Sequence, residues 1–197
     1  MPQTGMALET NSNLWGRTFN TFSTKFGSGG SSGGDGALVG LRGAAAAPLA
    51  SDIGGSIRAP AAFNGLYALR PTSERIPRKG LRSTVPGQIS IKTSCGPVTH
   101  SMPDLKLFAN LILTHPTLPF EGSCLPGSWR EVETASRKLK VGFLLTDGVV
   151  QPHPPITRAL KESVDKLKAA GHDGKCTFQP IGIRWLTNAS GRVQTSF

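Results

Sequence analysis

The sequence predicts an α/β fold, and three observations support that prediction. The run LKVGFLL at residues 139–145 is short and almost wholly apolar, which is typical of a buried strand. The segment PITRALKESVDKLKAAG at 155–171 has the apolar spacing of an amphipathic helix. A strand followed by a helix is typical of α/β domains. The length of 197 residues suits one domain, which at this size buries roughly 70% of its unfolded surface.

A first helix is predicted between Gly34 and Ala47. Leu38, Leu41 and Ala45 recur there at spacings of three and four, which predicts one apolar face. Its many glycines and alanines favour close packing against neighbouring elements. Ser31 or Ser32 can cap the N-terminus of this helix. The negative charge of Asp35, in its first turn, suits the positive end of the helix dipole.

A second helix is predicted to start at SMPD, residues 101–104. Ser101 can cap it, Pro103 suits its first turn, and Asp104 completes a capping box. Its expected apolar face is Leu105, Phe108, Ala109, Leu111 and Ile112. The helix at 155–171 is expected to end at Gly171. Its expected apolar face is Ile156, Ala159, Leu160, Val164 and Leu167.

The chain carries a formal net charge of +10, which raises the question of a polyanionic partner. Its densest basic patch consists of Arg70, Arg75, Arg78, Lys79 and Arg82. The patch lies among prolines and glycines with Tyr67 as its one aromatic neighbour, whereas single-stranded nucleic acids are bound by several stacking residues. We therefore expect a solvated loop and no nucleic-acid partner, and keep a basic nucleic-acid-binding module as an alternative.

Other sequence features indicate the cellular compartment and argue against a bound metal or cofactor. No apolar run is long enough to span a membrane, and residues 1–4 do not begin a secretory signal, so we expect a cytoplasmic protein. The three cysteines, Cys95, Cys124 and Cys176, are far apart and lack metal-ligand spacing. We expect no metal, no cofactor and a reducing compartment.

A glycine-rich loop, GSGGSSGGDG at residues 27–36, contains two adjacent serines, Ser31 and Ser32. The loop does not match the P-loop or dinucleotide-binding patterns, which disfavours phosphate binding. It matches Gly-x-Ser-x-Gly, the nucleophile elbow of α/β-hydrolases, but the preceding TFSTKFGS is a poor strand. Four histidines could complete such a site, although each is more typical of an ordinary surface residue: His100, His115, His153 and His172.

A second glycine turn carries another serine, in the run Asp52-Ile53-Gly54-Gly55-Ser56. Successive N–H groups in such a turn can form an anion-binding nest. An oxyanion site beside a hydroxyl is the layout that acyl transfer requires. The two serine-bearing turns are 25 positions apart, Ser31 to Ser56, with a predicted close-packing helix between them.

The run GGSSGGDGALVGLRG, followed by SDIGGSIRAPAAFNGLYALRPT, resembles the amidase signature family, and most of all its fungal acetamidase-type members. Further similar stretches are GRTFN, CGPVTHSMPDLKLF and DGVVQPHPPITRALKESVDKLKAAGH. The resemblance extends from about Pro2 to His172, and it implies a central mixed β-sheet covered by helices. On this basis we expect a partial amidase domain at 1–172 and a divergent tail outside the fold at 173–197.

The resemblance implies a Ser–cis-Ser–Lys triad that hydrolyses a carboxylic amide to an acid and ammonia or an amine. Ser56 matches the nucleophile, and Ser31 matches the serine that follows a cis peptide bond and relays the proton. The backbone N–H groups of Ile53, Gly54, Gly55 and Ser56 match the oxyanion hole. The residues expected to support this site are Ser32, Asp52 and Arg58. The expected partner is a small amide substrate.

The chain departs from the family pattern at the lysine of the triad. The family places the triad lysine well before the glycine loop, in a segment that this chain does not contain, and Lys25 is the only lysine that precedes Ser31. We therefore expect the chain alone to be inactive. The alternative is a non-catalytic degenerate paralogue or a gene-model fragment.

Overall fold

The computed structural model describes residues 1–42, 48–114, 124, 127, 129–132, 138–146, 149–176, 186–187 and 193–194. The chain divides into two compact units, Met1–Arg130 and Glu131–Phe197. No helix in these described ranges is long and apolar enough to cross a membrane. The cytoplasmic location stays a prediction.

The first unit is built around a three-stranded antiparallel sheet. Its strands are β3 (Leu49–Asp52), β4 (Tyr67–Ala68) and β5 (Ser94–Thr99), in the spatial order β3-β5-β4. The remaining elements are a short ribbon of β1 (Asn11–Ser12) and β2 (Gly16–Arg17), and the helices α1 (Gly33–Gly40), α2 (Arg58–Phe63) and α3 (Met102–Thr114). Every residue of the central strand β5 is buried. The central strand therefore lies inside this unit, and β3 leads through the turn at 53–55 to Ser56.

The core of this unit joins the sheet to the start of α2. Its buried cluster is Ala50, Ile57, Ala61 and Val98, with Leu66 and Ala68 packed against it. Ala50 lies on β3, Val98 on β5 and Ala61 on α2. Burying a Val or Ile side chain contributes about 1.5–3 kcal/mol, so this cluster fixes the position of the turn between β3 and α2.

The predicted first helix is shorter than expected and presents a different face. It begins at Gly33 and ends at Gly40, because Leu41 adopts extended backbone angles; Ala45 lies outside the described residues. Leu38 is 46% exposed and Leu41 is also exposed, whereas Val39 is 0% exposed. The expected apolar face is therefore wrong: the buried side consists of Gly33, Gly36 and Val39.

Close packing of this helix is confirmed at Gly36. A Cβ atom there would lie 2.9 Å from Cβ of Pro60 on α2. Real Cβ contacts essentially never fall below 3.0 Å. The small side of α1 thus brings α2 close, at a distance that a larger residue would prevent.

The predicted cap of α3 by Ser101 is confirmed, and Asp104 pairs with the capping hydroxyl instead of with the Ser101 N–H. The Asp104 N–H donates to Oγ of Ser101 at 3.2 Å, and that hydroxyl donates to the Asp104 carboxylate at 2.6 Å. The helix buries Leu105 and Ala109 fully and Phe108 and Ile112 partly. Leu111 is exposed, so the expected face is wrong at that position.

The second unit contains a parallel strand pair and one long helix. The elements are β6 (Lys140–Phe143), α4 (Pro154–Ala169) and β7 (Asp173–Cys176), with β6 and β7 parallel. A further antiparallel pair consists of β8 (Leu186–Thr187) and β9 (Val193–Gln194). The predicted strand and helix are thus present, and residues directly after His172 supply a strand partner that the sequence pattern did not indicate.

Burial in this unit is lighter than the sequence predicts. The strand β6 alternates between exposed and half-buried residues, so the expectation of a buried strand is wrong here. On α4 Val164 is buried and Leu160 and Leu167 are half-buried, while Ile156 and Ala159 of the expected face are exposed. Gly171 follows the helix with a φ of 84°, as expected of a helix stop.

Candidate active site

The first serine loop, residues 28–33, leads directly into α1. Its Gly30–Ser31 peptide bond is cis, as the resemblance implies. Ser31 is 2% exposed. A side chain at Gly30 would collide with the backbone of Glu9, so glycine allows the loop to lie against the N-terminal segment.

Thr10, in the N-terminal segment, is hydrogen-bonded to two residues of this loop. Its hydroxyl donates to the carbonyl of Gly29 at 2.9 Å and accepts the N–H of Gly33 at 3.0 Å. Inside the loop, the Ser28 hydroxyl donates to the carbonyl of Gly33 at 2.7 Å. The polar groups on both sides of Ser31 are therefore paired, which holds the loop in one conformation.

Asn64 fastens the same loop from the end of α2. Its side chain is almost wholly buried, and Nδ2 donates to the carbonyl of Ser28 at 3.0 Å and to the Ser28 hydroxyl at 2.9 Å. Nδ2 also donates to the carbonyl of Pro60, while Oδ1 accepts the N–H of Thr21 at 3.3 Å. A single buried amide thus joins three segments of the chain.

The second serine loop, residues 52–57, connects β3 to α2 and contains Ser56, which is 5% exposed. The Asp52 carboxylate organises it. One oxygen accepts the Gly55 N–H at 2.7 Å and the other accepts the Ile57 N–H at 3.1 Å. Arg58 donates to both oxygens at 3.0 Å. The carboxylate therefore lies inside its own turn, and both of its oxygens accept hydrogen bonds from the backbone and from Arg58.

These bonds keep Asp52 ionised. Its burial would raise the pKa of the carboxyl, but the hydrogen bonds from Arg58, Ile57 and Gly55 outweigh that effect and lower the pKa to about 2. The side chain of Asp52 is 0% exposed, while that of Arg58 is 58% exposed. The pair thus combines a desolvated anion with a cation that water still solvates.

Three of the four expected oxyanion donors are available. The Gly55 N–H is donated to Asp52. Across the described residues, the N–H groups of Ile53, Gly54 and Ser56 have no hydrogen-bond acceptor. N–H groups without acceptors beside a serine hydroxyl are suited to bind a developing negative charge.

The two serine loops are bonded to one another through Ser32. Its N–H donates to the carbonyl of Ser56 at 3.3 Å, and its hydroxyl donates to the carbonyl of Ser51 at 3.3 Å. Ser32 does occupy the N-cap position of α1, but its side chain makes no capping bond. The expected side-chain cap is therefore wrong, because the hydroxyl is used to join the loops.

Ser31 and Ser56 line the same cavity, which has a volume of about 870 Å³. Ser51 and Ile53 line it as well. The rest of its wall comes from the N-terminal segment and from residues 78–93, among them Met6, Trp15, Arg78, Leu81, Arg82, Val85, Ile89 and Ile91. The cavity thus brings together two buried hydroxyls and two residues, Ile53 and Ser56, whose N–H groups have no acceptor among the described residues, as acyl transfer requires.

The predicted alternative bases lie elsewhere. Lys25 is exposed and is not among the residues lining the cavity. His153 is exposed, and His100 and His172 are half-buried, without lining the cavity either; His115 lies outside the described residues. In the described part of the chain no three His, Cys, Asp or Glu residues are grouped as a metal site would need.

Two of the residues that hold this site were not anticipated from the sequence. Thr10 and Asn64 belong to segments with no helical or strand periodicity, and their partners in the first serine loop lie 19 to 36 positions away. The only local indication is that Asn64 precedes a glycine with a φ of 63°, a common way to end a helix. Nothing in the pattern around Thr10 distinguishes it from an exposed threonine.

The two serine loops are bonded to each other and line one cavity, a cis bond precedes Ser31, and a helix lies between the loops in the chain. This arrangement agrees with the amidase resemblance. Residues 1–177 match the model of the family described as Amidase. The chain belongs to the amidase family.

Several curated relatives share this segment. The chain is 53% identical to an amidase of Gibberella zeae over 173 residues, which cover 88% of the chain and 32% of that protein. It is 41% identical to an acetamidase of Aspergillus oryzae, covering 87% of the chain and 33% of that protein. The chain therefore spans about a third of the length of the curated relatives it matches.

Solved structures confirm the α/β fold. A fatty acid amide hydrolase superposes with a TM-score of 0.86 at 42% identity, over 92% of this chain and 32% of that one. A bacterial aryl acylamidase of the amidase signature family gives a TM-score of 0.74 at 27% identity, over 92% of this chain and 36% of that one. Among the described residues, the first unit contains an antiparallel three-stranded sheet and the second unit a parallel strand pair.

Proposed function

We propose that this chain carries the nucleophile and the proton relay of an amidase that hydrolyses small carboxylic amides. The observation that carries the proposal is that Ser31, after its cis peptide bond, and Ser56, in its glycine turn, line one cavity. Membership of the amidase family supports it. Acetamide is the natural first substrate to assay, because relatives from Aspergillus oryzae and Emericella nidulans are named acetamidases.

In the proposed reaction, Oγ of Ser56 attacks the carbonyl carbon of the amide while its proton passes to Ser31, whose own proton passes to a base. The oxyanion accepts N–H groups of Ile53, Gly54 and Ser56. Collapse of this intermediate breaks the C–N bond, and the amine leaves with a proton returned through Ser31. Water then hydrolyses the ester on Ser56 and releases the acid.

Ser32, Asp52 and Arg58 act as supports in this proposal. Ser32 sets the distance between the two serine loops through its bonds to Ser51 and Ser56. Asp52, held by Arg58, fixes the turn that orients the donor N–H groups. Holding reacting groups in the correct geometry is itself a major part of catalysis.

The nucleophile is tested in a complete amidase. Residues 1–177 replace the matching segment of the Gibberella zeae amidase, to which this chain is 53% identical. We expect a serine-directed phosphonate to label Ser56 and acetamide to be hydrolysed, with Ser56→Ala abolishing both. Ser83→Ala is the matched control, since Ser83 lines the same cavity outside the serine loops. Labelling that survives Ser56→Ala would exclude Ser56 as the nucleophile.

The base is tested with the 197-residue chain by itself. Since Lys25 does not line the cavity, we expect the chain and its Ser56→Ala variant to hydrolyse acetamide at the same background rate. A positioned base typically contributes about 10²–10⁴-fold, and members of a catalytic unit fail together. Turnover that depends on Ser56 would overturn this expectation, and Lys25→Ala would then be the next variant to measure.

A further inference from the structure

We infer that the cavity over Ser56 selects amides that carry a carboxylate at the far end of a short hydrocarbon chain, and that Arg82 recognises this carboxylate. The inference rests on the proposed function, since it concerns the substrate class of the same cavity.

The charge of the cavity wall is one-sided. Among the described residues that line it, the charged side chains are Arg78 and Arg82, and no aspartate or glutamate is present. A cavity with charges of one sign attracts ligands of the other sign and raises their local concentration. The wall is therefore suited to an anionic substrate and contains no carboxylate that would repel one.

The local backbone brings these two arginines together. Residues 78–81 form a turn in which the Leu81 N–H donates to the carbonyl of Arg78 at 2.9 Å, and Gly80 has a φ of 88°. Arg82 follows directly, is exposed, and makes no ion pair with any residue that the structure describes. Its guanidinium is thus available to a ligand, and its planar fork matches both oxygens of a carboxylate.

A hydrogen bond between two segments that line the cavity holds residues 78–93 beside it. The hydroxyl of Thr84 donates to the carbonyl of Thr4 at 2.9 Å, and both residues line the cavity. Residues 78–93 are therefore linked to the N-terminal segment, and both line the cavity that contains Ser31 and Ser56. A substrate bound at Ser56 has the basic turn within the same enclosure.

The remaining wall mixes polar and apolar residues. Its apolar part, which includes Met6, Trp15, Leu81, Ile89 and Ile91, can contact a hydrocarbon chain. Burial of each methylene against such surface contributes about 0.8 kcal/mol. A monoamide of a dicarboxylic acid has the three required parts: an amide for Ser56, a chain of methylenes for this wall, and a carboxylate for Arg82.

The test compares two ligands that differ only in the terminal group, adipamic acid and hexanamide. Their dissociation constants for the 197-residue chain are measured by NMR titration at low salt. We expect adipamate to bind about fivefold more tightly, in keeping with a partly exposed ion pair, and the preference to shrink as salt is added. Arg82→Gln should remove the preference and leave the affinity for hexanamide unchanged.

Lys79→Gln is the matched control, because it removes the same charge from the same turn at a residue that does not line the cavity. Retention of most of the preference in this variant supports direct recognition by Arg82. An equal loss in both variants would overturn it in favour of a diffuse positive field.

The remaining outcomes separate this inference from the proposed function. Equal affinity of the chain for both ligands would overturn the carboxylate preference and leave the proposed amidase standing. Failure of both ligands to bind would also overturn the inference. In that case the proposed function is judged independently, from the labelling of Ser56 in the complete amidase.

Discussion

The first serine loop and the second serine loop present the same group, a buried serine hydroxyl, but they are held in different ways. In the second loop the Asp52 carboxylate is bonded to Gly55, Ile57 and Arg58, at separations of three to six residues. In the first loop the holding groups are Thr10 and Asn64, at separations of 19 to 36 residues. The second loop is held mainly by its own carboxylate, whereas the first loop, besides its local Ser28–Gly33 bond, is held by segments that reach it only through the fold.

This difference indicates how each loop responds to a change elsewhere. A turn held by local bonds keeps its geometry as long as its own carboxylate is ionised. A loop held by distant groups keeps its geometry only while those segments pack correctly. The proposed relay serine, Ser31, therefore depends on the packing of α2 and the N-terminal segment, while the proposed nucleophile, Ser56, depends mainly on Asp52.

The largest effect is expected from Asp52→Ala, which breaks the second loop. It removes two backbone bonds and both contacts with Arg58, and we expect a loss of about 3 kcal/mol in the free energy of unfolding. The measurement is urea unfolding of the 197-residue chain. Arg58→Gln should cost about 1 kcal/mol, because it leaves both backbone bonds and Arg58 is half in water. Equal losses would show that the ion pair, and not the backbone bonds, holds the turn.

Acid should weaken the second loop selectively. Because the folded pKa of Asp52 is lowered from 3.8 to about 2, its contribution is nearly complete above about pH 5 and is lost as the pH falls towards 2. We expect this contribution to be about 2 kcal/mol. Unfolding free energies are compared between the wild type and Asp52→Asn at pH 6 and at pH 2. The gap between them should narrow at the lower pH, and a constant gap would contradict the assignment.

Asn64→Ala should break the first loop. It leaves the carbonyl of Ser28 and the N–H of Thr21 without their partner in a buried site, and we expect a loss of about 2 kcal/mol. The exposed Asn13 offers a control, since Asn13→Ala should change stability by less than about 0.5 kcal/mol. Hydrogen exchange of the Gly33 N–H should also accelerate in Asn64→Ala. Unchanged exchange there would mean that Asn64 does not hold this loop.

Thr10→Val sharpens the comparison with a smaller change. Valine keeps the shape of threonine but cannot accept the Gly33 N–H or donate to Gly29, and we expect a loss of about 1 kcal/mol. Thr24→Val, at an exposed position, is the control for the change of side chain. In the double variant Thr10→Val/Asn64→Ala, the loss in unfolding free energy should differ from the sum of the two single losses, because both residues hold one loop. Strict additivity would indicate that the two contacts act independently.

Local features of the sequence determined much of this protein. The Ser101 cap of α3, the position of α4 and the glycine stop at Gly171 follow from interactions within a few residues, and the structure contains all three. The serine-bearing glycine turns were found in the same way, since a turn and its carboxylate, such as Asp52 and Gly55, lie side by side in the chain. The expectation that small residues of α1 permit close packing also held, at Gly36.

Tertiary contacts select the helix face that is buried and the partner that a hydroxyl bonds, where the local sequence permits several. Val39, rather than Leu38 and Leu41, is buried on α1, because α2 approaches the glycine side of the helix. The Ser32 hydroxyl bonds to Ser51 instead of capping α1, since β3 passes within its reach. Periodicity specifies that a helix has faces, but the choice of face depends on the neighbours, and those contacts join residues too far apart in sequence for a local pattern to contain them.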